Sequence, residues 1–296
     1  TEDQRVSPPP NDLGSDGARD DRFGNSVALS SDGLTALVGA RDDDVGSRVD
    51  QGAAYVLVRS GTTWTFAVKL LATDGVAGDQ FGQSVSLSGD GQTAMVGSTL
   101  HDVGANVNQG AAYVFARSGS DWTQEALLVS ADGAASGRFG ASVSFSGDGQ
   151  LALVGAAQDD VGSNVDQGSA YVFGRSGSSW TQQMKLVAGD GASSDQFGVS
   201  VSLSGDGQTA LVGGYLDDVG SNPEQGSAYV FARSGISWSQ QAKLVAGDGA
   251  ASDQFGVSVS LSGDGQTALM GALGDDTGRG STYVHARSGS TWSQQA

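Results

Sequence analysis

Aspartates five residues apart recur along this chain, and paired carboxylates on a short glycine-containing loop are what calcium chemistry asks for. The pairs are Asp16 with Asp21, Asp74 with Asp79, Asp190 with Asp195 and Asp248 with Asp253. Such a loop can fold back and present both side chains together with backbone carbonyls to the ion. The same residues have a second reading, because an aspartate just ahead of a strand accepts loop N–H groups and forms a turn without metal. A second acidic set, Asp43-Asp44, Asp159-Asp160, Asp217-Asp218 and Asp275-Asp276, carries the same two readings.

Five tryptophans also recur, at Trp64, Trp122, Trp180, Trp238 and Trp292, each beside Thr, Ser or Gln. Exposed, they could stack on sugar rings and give one weak glycan site per repeat, with avidity multiplying on a multivalent glycan. Buried, they would be packing. Catalysis finds little to work with. The residues that break the repeat, among them Glu2, Asp12, Asp20, Asp121, Glu125, Glu224, His101 and His285, are scattered rather than gathered on one strand. There is no cysteine nucleophile, no zinc spacing and no phosphate loop followed by lysine. His101, which sits where the first repeat has Asp43, reads as an exposed side chain rather than a ligand, since zinc needs several converging N or S donors.

Composition narrows the classes further. The net charge is −18 with only three lysines, Lys69, Lys185 and Lys243. That field repels phosphate backbones and anionic lipid, which argues against nucleic acid and direct membrane binding. No apolar run approaches the roughly 18 residues of a spanning helix. With no cysteine, the chain has neither disulfides nor thiolate metal sites. It begins at Thr1 without a methionine or signal-like segment, which fits a processed or a trimmed chain alike.

All these residues sit on one repeated unit. The Phe-Gly pair stands at Phe23, Phe81, Phe139, Phe197 and Phe255, a spacing of 58 residues that marks a modular array. Within the fourth unit, Phe197, Val199, Val201 and Leu203 alternate with serines, the period of a strand. Gly205-Asp206-Gly207 turns the chain, and Thr209 to Gly213 returns. Ser227 to Ala232 and Trp238 to Leu244 read as the third and fourth strands. Bulky residues on one side and serines on the other let one sheet seat closely on the next.

The expected fold is therefore all-β, a five-bladed β-propeller with four antiparallel strands per blade. Units start at residues 23, 81, 139, 197 and 255, and residues 1–10 form an N-terminal tail. The single domain spans 11–296, and residues 11–22 supply what the last unit lacks, Asp16-Gly17 and Asp21 falling where Asp248-Gly249 and Asp253 fall. Closure would thus join the N- and C-terminal segments in one blade, removing exposed sheet edges.

The pieces Asp190-Gly191, Asp195-Gln-Phe-Gly198, Ser200-Val201, Leu211-Val212-Gly213 and Gly226-Ser-Ala-Tyr-Val-Phe231 resemble the FG-GAP repeat, in its bacterial form, over nearly all of residues 11–296. The resemblance implies propeller blades like those of integrin α-subunit heads, and a secreted or cell-surface module that binds an extracellular protein or glycan. Two departures stand out. Those heads have seven blades, and their calcium loop runs Asp-x-Asp-x-Asp-Gly. Here the matching turn carries a single carboxylate, at Asp32, Asp90, Asp148, Asp206 or Asp264, so no calcium is expected there. The resulting expectation is a non-enzymatic adhesion module, possible alternatives being a multivalent lectin, a subunit of an extracellular assembly and, last, a glycan-cleaving enzyme.

Overall fold

The computed structural model describes Val6 and residues 21–295. The first sheet consists of β1 (Val27–Leu29), β2 (Thr35–Ala40), β3 (Ala53–Ser60) and β4 (Thr63–Leu70), and the second of β5 (Phe81–Leu87), β6 (Thr93–Ser98), β7 (Ala111–Ser118) and β8 (Asp121–Leu128). The third holds β9 (Phe139–Phe145), β10 (Leu151–Ala156), β11 (Ser169–Ser176) and β12 (Ser179–Leu186). The fourth is β13 (Phe197–Leu203), β14 (Thr209–Gly214), β15 (Ser227–Ser234) and β16 (Ser237–Leu244). The fifth is β17 (Phe255–Leu261), β18 (Thr267–Ala272), β19 (Ser281–Ser288) and β20 (Thr291–Gln294), with the single helical turn α1 (Asp275–Gly278) between β18 and β19. Each sheet is a four-stranded antiparallel meander in chain order, one per repeat.

The local reasons are those of the unit. Ser204 donates to Asp206 at 2.6 Å and Asp206 accepts the Gln208 amide at 2.9 Å, which closes the first hairpin without a metal. The Phe-Gly pair has two separate tasks. Phe197 is fully buried, with its ring 5.4 Å from that of Tyr229 and 6.0 Å from that of Phe231. Gly198 lies at φ +93°, where a Cβ would collide with the Ser169 carbonyl of the preceding sheet, so only glycine fits.

The cores lie between sheets rather than within them. Phe197, Val201 and Leu203 of the fourth sheet pack on Leu153, Val172 and Leu186 of the third. First strands of neighbouring sheets run against one another along their length, whereas fourth strands meet at few points, so the sheets fan outward. Polar bonds stitch each junction: Ser200 donates to the Gly256 carbonyl at 2.7 Å, and the Leu261 amide donates to Ser202 at 3.0 Å. At the hairpin tips a chain of amide-to-carbonyl bonds, each 2.9 Å, runs Ser31 to Gly89, Gly89 to Gly147, Gly147 to Gly205 and Gly205 to Gly263.

The two end sheets differ from the rest. Val27 and Leu29 are 68% and 58% exposed, while their equivalents Val85 and Leu87 are 7% and 9% exposed under a neighbouring sheet. At the other end Leu269 is 43% exposed, where Leu37, Leu153 and Leu211 are at 0%. Of the segment expected to close the array, residues 11–22, residues 11–20 lie outside the described residues, while Asp21 and Arg22 bond Asp42 after the second strand of the first sheet. All four strands of the fifth sheet come from residues 255–294.

Candidate functional site

The acidic residues gather where the linker after a fourth strand crosses the loop between second and third strands. That linker is zipped onto the loop: Ser194, Gln196 and Phe197 donate backbone N–H bonds to Val165, Asp166 and Gln167 at 2.9, 3.2 and 2.8 Å. Asn164 completes the clasp, donating to Gln167 at 2.9 Å and to the Gly191 carbonyl at 3.1 Å. Within the linker the second aspartate of each pair forms the turn. Asp195 accepts the Ala192 amide at 2.6 Å, Asp79 that of Val76 at 2.9 Å and Asp253 that of Ala250 at 2.6 Å, all three carboxylates being buried. Burial pushes the Asp195 carboxyl up to about 6.

The first aspartate of the pair is exposed and meets a cation from the protein itself. Lys243 Nζ lies 2.7 Å from Asp190 and 2.7 Å from the buried Asp217, bridging the two acidic sets, and Tyr229 donates to Asp217 at 2.9 Å. The third sheet repeats this with Lys185, 2.8 Å from both Asp132 and Asp159, and the first pairs Lys69 with Asp43 at 3.0 Å. Burial works against charge on Asp190 and Asp132, but the lysine and tyrosine bonds outweigh it and hold both carboxyls below their usual range. Reading the aspartates as pairs passes over Asp132, because its partner position is Gly137; the 58-residue spacing alone would have found it.

The second sheet inverts the arrangement. Leu127 replaces the lysine, and His101 replaces the aspartate. His101 is buried at 8% exposure rather than solvent-facing as expected, its Nδ1 3.2 Å from Asp79, while Tyr113 donates to Asp74 at 2.9 Å. Exposure was the wrong expectation because the ring has a carboxylate partner from the linker, which the sequence places 22 residues away. That hydrogen bond, against the cost of burial, raises the imidazole pKa. In the fifth sheet Tyr283 donates to Asp248 at 3.1 Å and Asp275 at 2.7 Å, and no described lysine joins them. Asp16 lies outside the described residues. Among the described residues no group of three or more His, Asp or Glu side chains is placed to hold a metal ion.

The second members of the other acidic set brace the loop. Asp160 and Asp218 accept the amides of Asp166 and Glu224 at 2.9 and 2.8 Å, holding both residues at φ +53°. The loops present an exposed apolar residue at one repeated position, Val49, Val107 and Val165 at 57%, 56% and 57%, beside exposed carboxylates such as Asp102 and Asp160.

The tryptophans are mainly packing. Trp122, Trp180, Trp238 and Trp292 lie against the inter-sheet cores. Trp180 donates to Glu125 at 3.2 Å and Trp292 to Gln241 at 3.4 Å, while Trp238 is 4% exposed. Trp64, half-buried, lies 6.0 Å from the Arg59 guanidinium. His285 is buried beside the Phe255 ring, and burial lowers its pKa.

A family model described as FG-GAP repeat matches residues 13–57, 64–115, 122–173, 180–231 and 238–285. No curated protein matches the chain. The later matches run from the tryptophan of one sheet to the third strand of the next, so the matched unit contains one junction and its aspartates rather than one sheet. No helix among the described residues is long and apolar enough to cross a membrane.

Proposed function

Because this chain belongs to the FG-GAP repeat family, we propose that it is a non-enzymatic interaction module acting outside the cell or at its surface, its fanned sheets set as propeller blades about a common axis. The partner is an extracellular protein, bound along the rim of loops between second and third strands. The observation that carries this reading is the near-identical exposure of Val49, Val107 and Val165 on successive loops. Apolar side chains repeated beside carboxylates give a partner surface both an anchor and a polar frame. The acidic frame favours a basic partner.

Binding of the immobilised protein to panels of purified extracellular proteins and glycans tests it. Protein signals that vanish with the triple substitution Val49→Asp, Val107→Asp and Val165→Asp support the reading. Glycan signals that fall stepwise with the tryptophans would favour the lectin instead, which the packing of Trp122, Trp180, Trp238 and Trp292 against the inter-sheet cores argues against. Calcium belongs to the proposal only at Asp248 and Asp253, where neither a lysine nor a histidine intervenes. A melting temperature that rises in millimolar calcium and no longer does so in Asp248→Asn supports it.

A further inference from the structure

A cavity of about 190 Å³ lies at the end of the molecule where first strands begin and second strands finish, and its walls come from the first four sheets. Arg41 and Arg138 line it together with Gln83, Gln158, Gln196 and Thr99, and no carboxylate does. In a chain with 33 acids and 15 bases, a cavity without an acid stands apart. The geometry points to a binding site for a small hydroxy acid of the sugar-acid class, its carboxylate held by the two arginines and its hydroxyls by the amides and Thr99.

Both arginines keep donors that the protein does not use. Arg41 donates through Nη1 to Gln83 Oε1 at 2.7 Å, but its Nε is buried without an acceptor. Asp42 lies 3.7 Å from that Nε, beyond a hydrogen bond, and is already bonded by Arg22 at 2.7 Å. Arg138 has no hydrogen-bond or ion-pair partner among the described residues, whereas Lys69, Lys185, Lys243 and Arg175 each meet a carboxylate. A planar carboxylate satisfies guanidinium donors in pairs. Arg138 also sits at φ +53°, as its equivalents Gln80 and Gln196 do at +56° and +52°, where glycine would be unstrained. All five repeats keep Arg or Gln at this position, and strain retained for a long polar side chain argues that the side chain is used.

The third sheet makes the room. Ala157 stands where the other sheets have Arg41, Thr99, Tyr215 and Leu273, and Ala141 where they have Asn25, Gln83, Val199 and Val257. The amides supply directional donors. Gln83 and Gln196 accept through Oε1 from Arg41 and, at 3.2 Å, from Tyr215, which leaves each Nε2 without an acceptor among the described residues; the Gln158 amide has no partner among them at all. Such donors suit hydroxyl and carboxylate oxygens alike. A single negative charge is favoured over a phosphate, because the −18 field of the chain repels a dianion more strongly.

Calorimetric titration of the full chain with glucuronate tests the site, with glucose, acetate and phosphate as comparisons. Glucuronate should bind, and the other three should bind about ten-fold more weakly or not at all. Arg138→Gln copies Gln80 and Gln196, so the fold tolerates it, and it should weaken glucuronate binding about ten-fold. Arg117→Gln removes the same charge outside the cavity, where Arg117 bonds the Gly119 carbonyl at 2.9 Å, and should leave binding unchanged. Ala157→Tyr, the residue of the fourth sheet at that position, should abolish binding by filling the cavity without a change of charge. Binding of the methyl glycoside as well as the free acid would support the site with its ligand at the end of a glycan; binding of the free acid alone would support it with a free metabolite. The site is independent of the rim valines, whose triple substitution should leave glucuronate binding intact. Absence of glucuronate binding, tighter binding of phosphate, or equal losses in Arg138→Gln and Arg117→Gln overturns the assignment.

Discussion

His101 Nδ1 stands 3.2 Å from the Asp79 carboxylate, at a repeat position that the four other sheets fill with an aspartate. The second sheet has therefore changed acid for base there and dropped the lysine at Leu127, keeping a positive partner for the linker carboxylates by a different route.

The two histidines are expected to titrate on opposite sides of the ordinary value of 6.5, His101 above it and the buried His285 below it. The signs follow from linkage. Stability from His101 is full below 6.5 and is lost as pH rises through its raised pKa. His285 contributes above 6.5, and that contribution is lost as pH falls. Imidazole NMR titration reads both, and His101→Gln should remove the high-pH resonance alone while flattening the stability gain below 6.5. Two coincident curves near 6.5 would contradict the geometry.

Asp195 is raised from 3.8 to about 6 by burial, so its contribution is full below 3.8 and is lost as pH rises through about 6. Asp195→Asn keeps an acceptor for the Ala192 amide and never ionises. At pH 7.5 it should be more stable than the parent chain by about 1–2 kcal/mol, and near pH 4 the difference should vanish. Urea unfolding at the two pH values measures it.

Lys243 matters through the carboxylate it shields. Removing it by Lys243→Met leaves Asp217, 3% exposed, with only hydroxyl partners, and should cost about 2–3 kcal/mol. Adding Asp217→Asn should recover most of the loss, a coupling that a double-mutant cycle reads directly. Simple additivity would show that the ammonium acts by packing on the Tyr229 ring, 5.4 Å away.

Two glycines at one repeat position separate backbone contact from backbone freedom. A Cβ at Gly213 would collide with the Gly256 carbonyl of the next sheet, so Gly213→Ala should destabilise by about 4 kcal/mol or prevent folding. The equivalent Gly271 faces only the Ser258 hydroxyl, 2.6 Å from such a Cβ. Gly271→Ala should cost about 1 kcal/mol or less. Equal losses in thermal unfolding would mean that the neighbouring sheet is not the cause.

The strands were legible because their evidence is local. Phe197 to Leu203 alternates, Asp206 marks the turn, and the boundaries agree to within a residue or two. The junctions were not, because their partners lie nearly one repeat apart: Lys243 meets Asp190 across 53 residues and Ser200 meets the Gly256 carbonyl across 56. A sequence shows which aspartates recur but not that an ammonium stands between them. For the same reason the tryptophans looked available for stacking until the neighbouring sheet was in place.

The tip-to-tip chain from Ser31 to Gly263 runs in one sense, each amide bonding the following carbonyl. Copying a unit in the gene therefore delivers both the donor for its successor and the acceptor for its predecessor. Residues 185–211 and 243–269, which differ at a single position, have the look of such a copying event. Adding or removing one whole module would leave this tip-to-tip chain of bonds continuous.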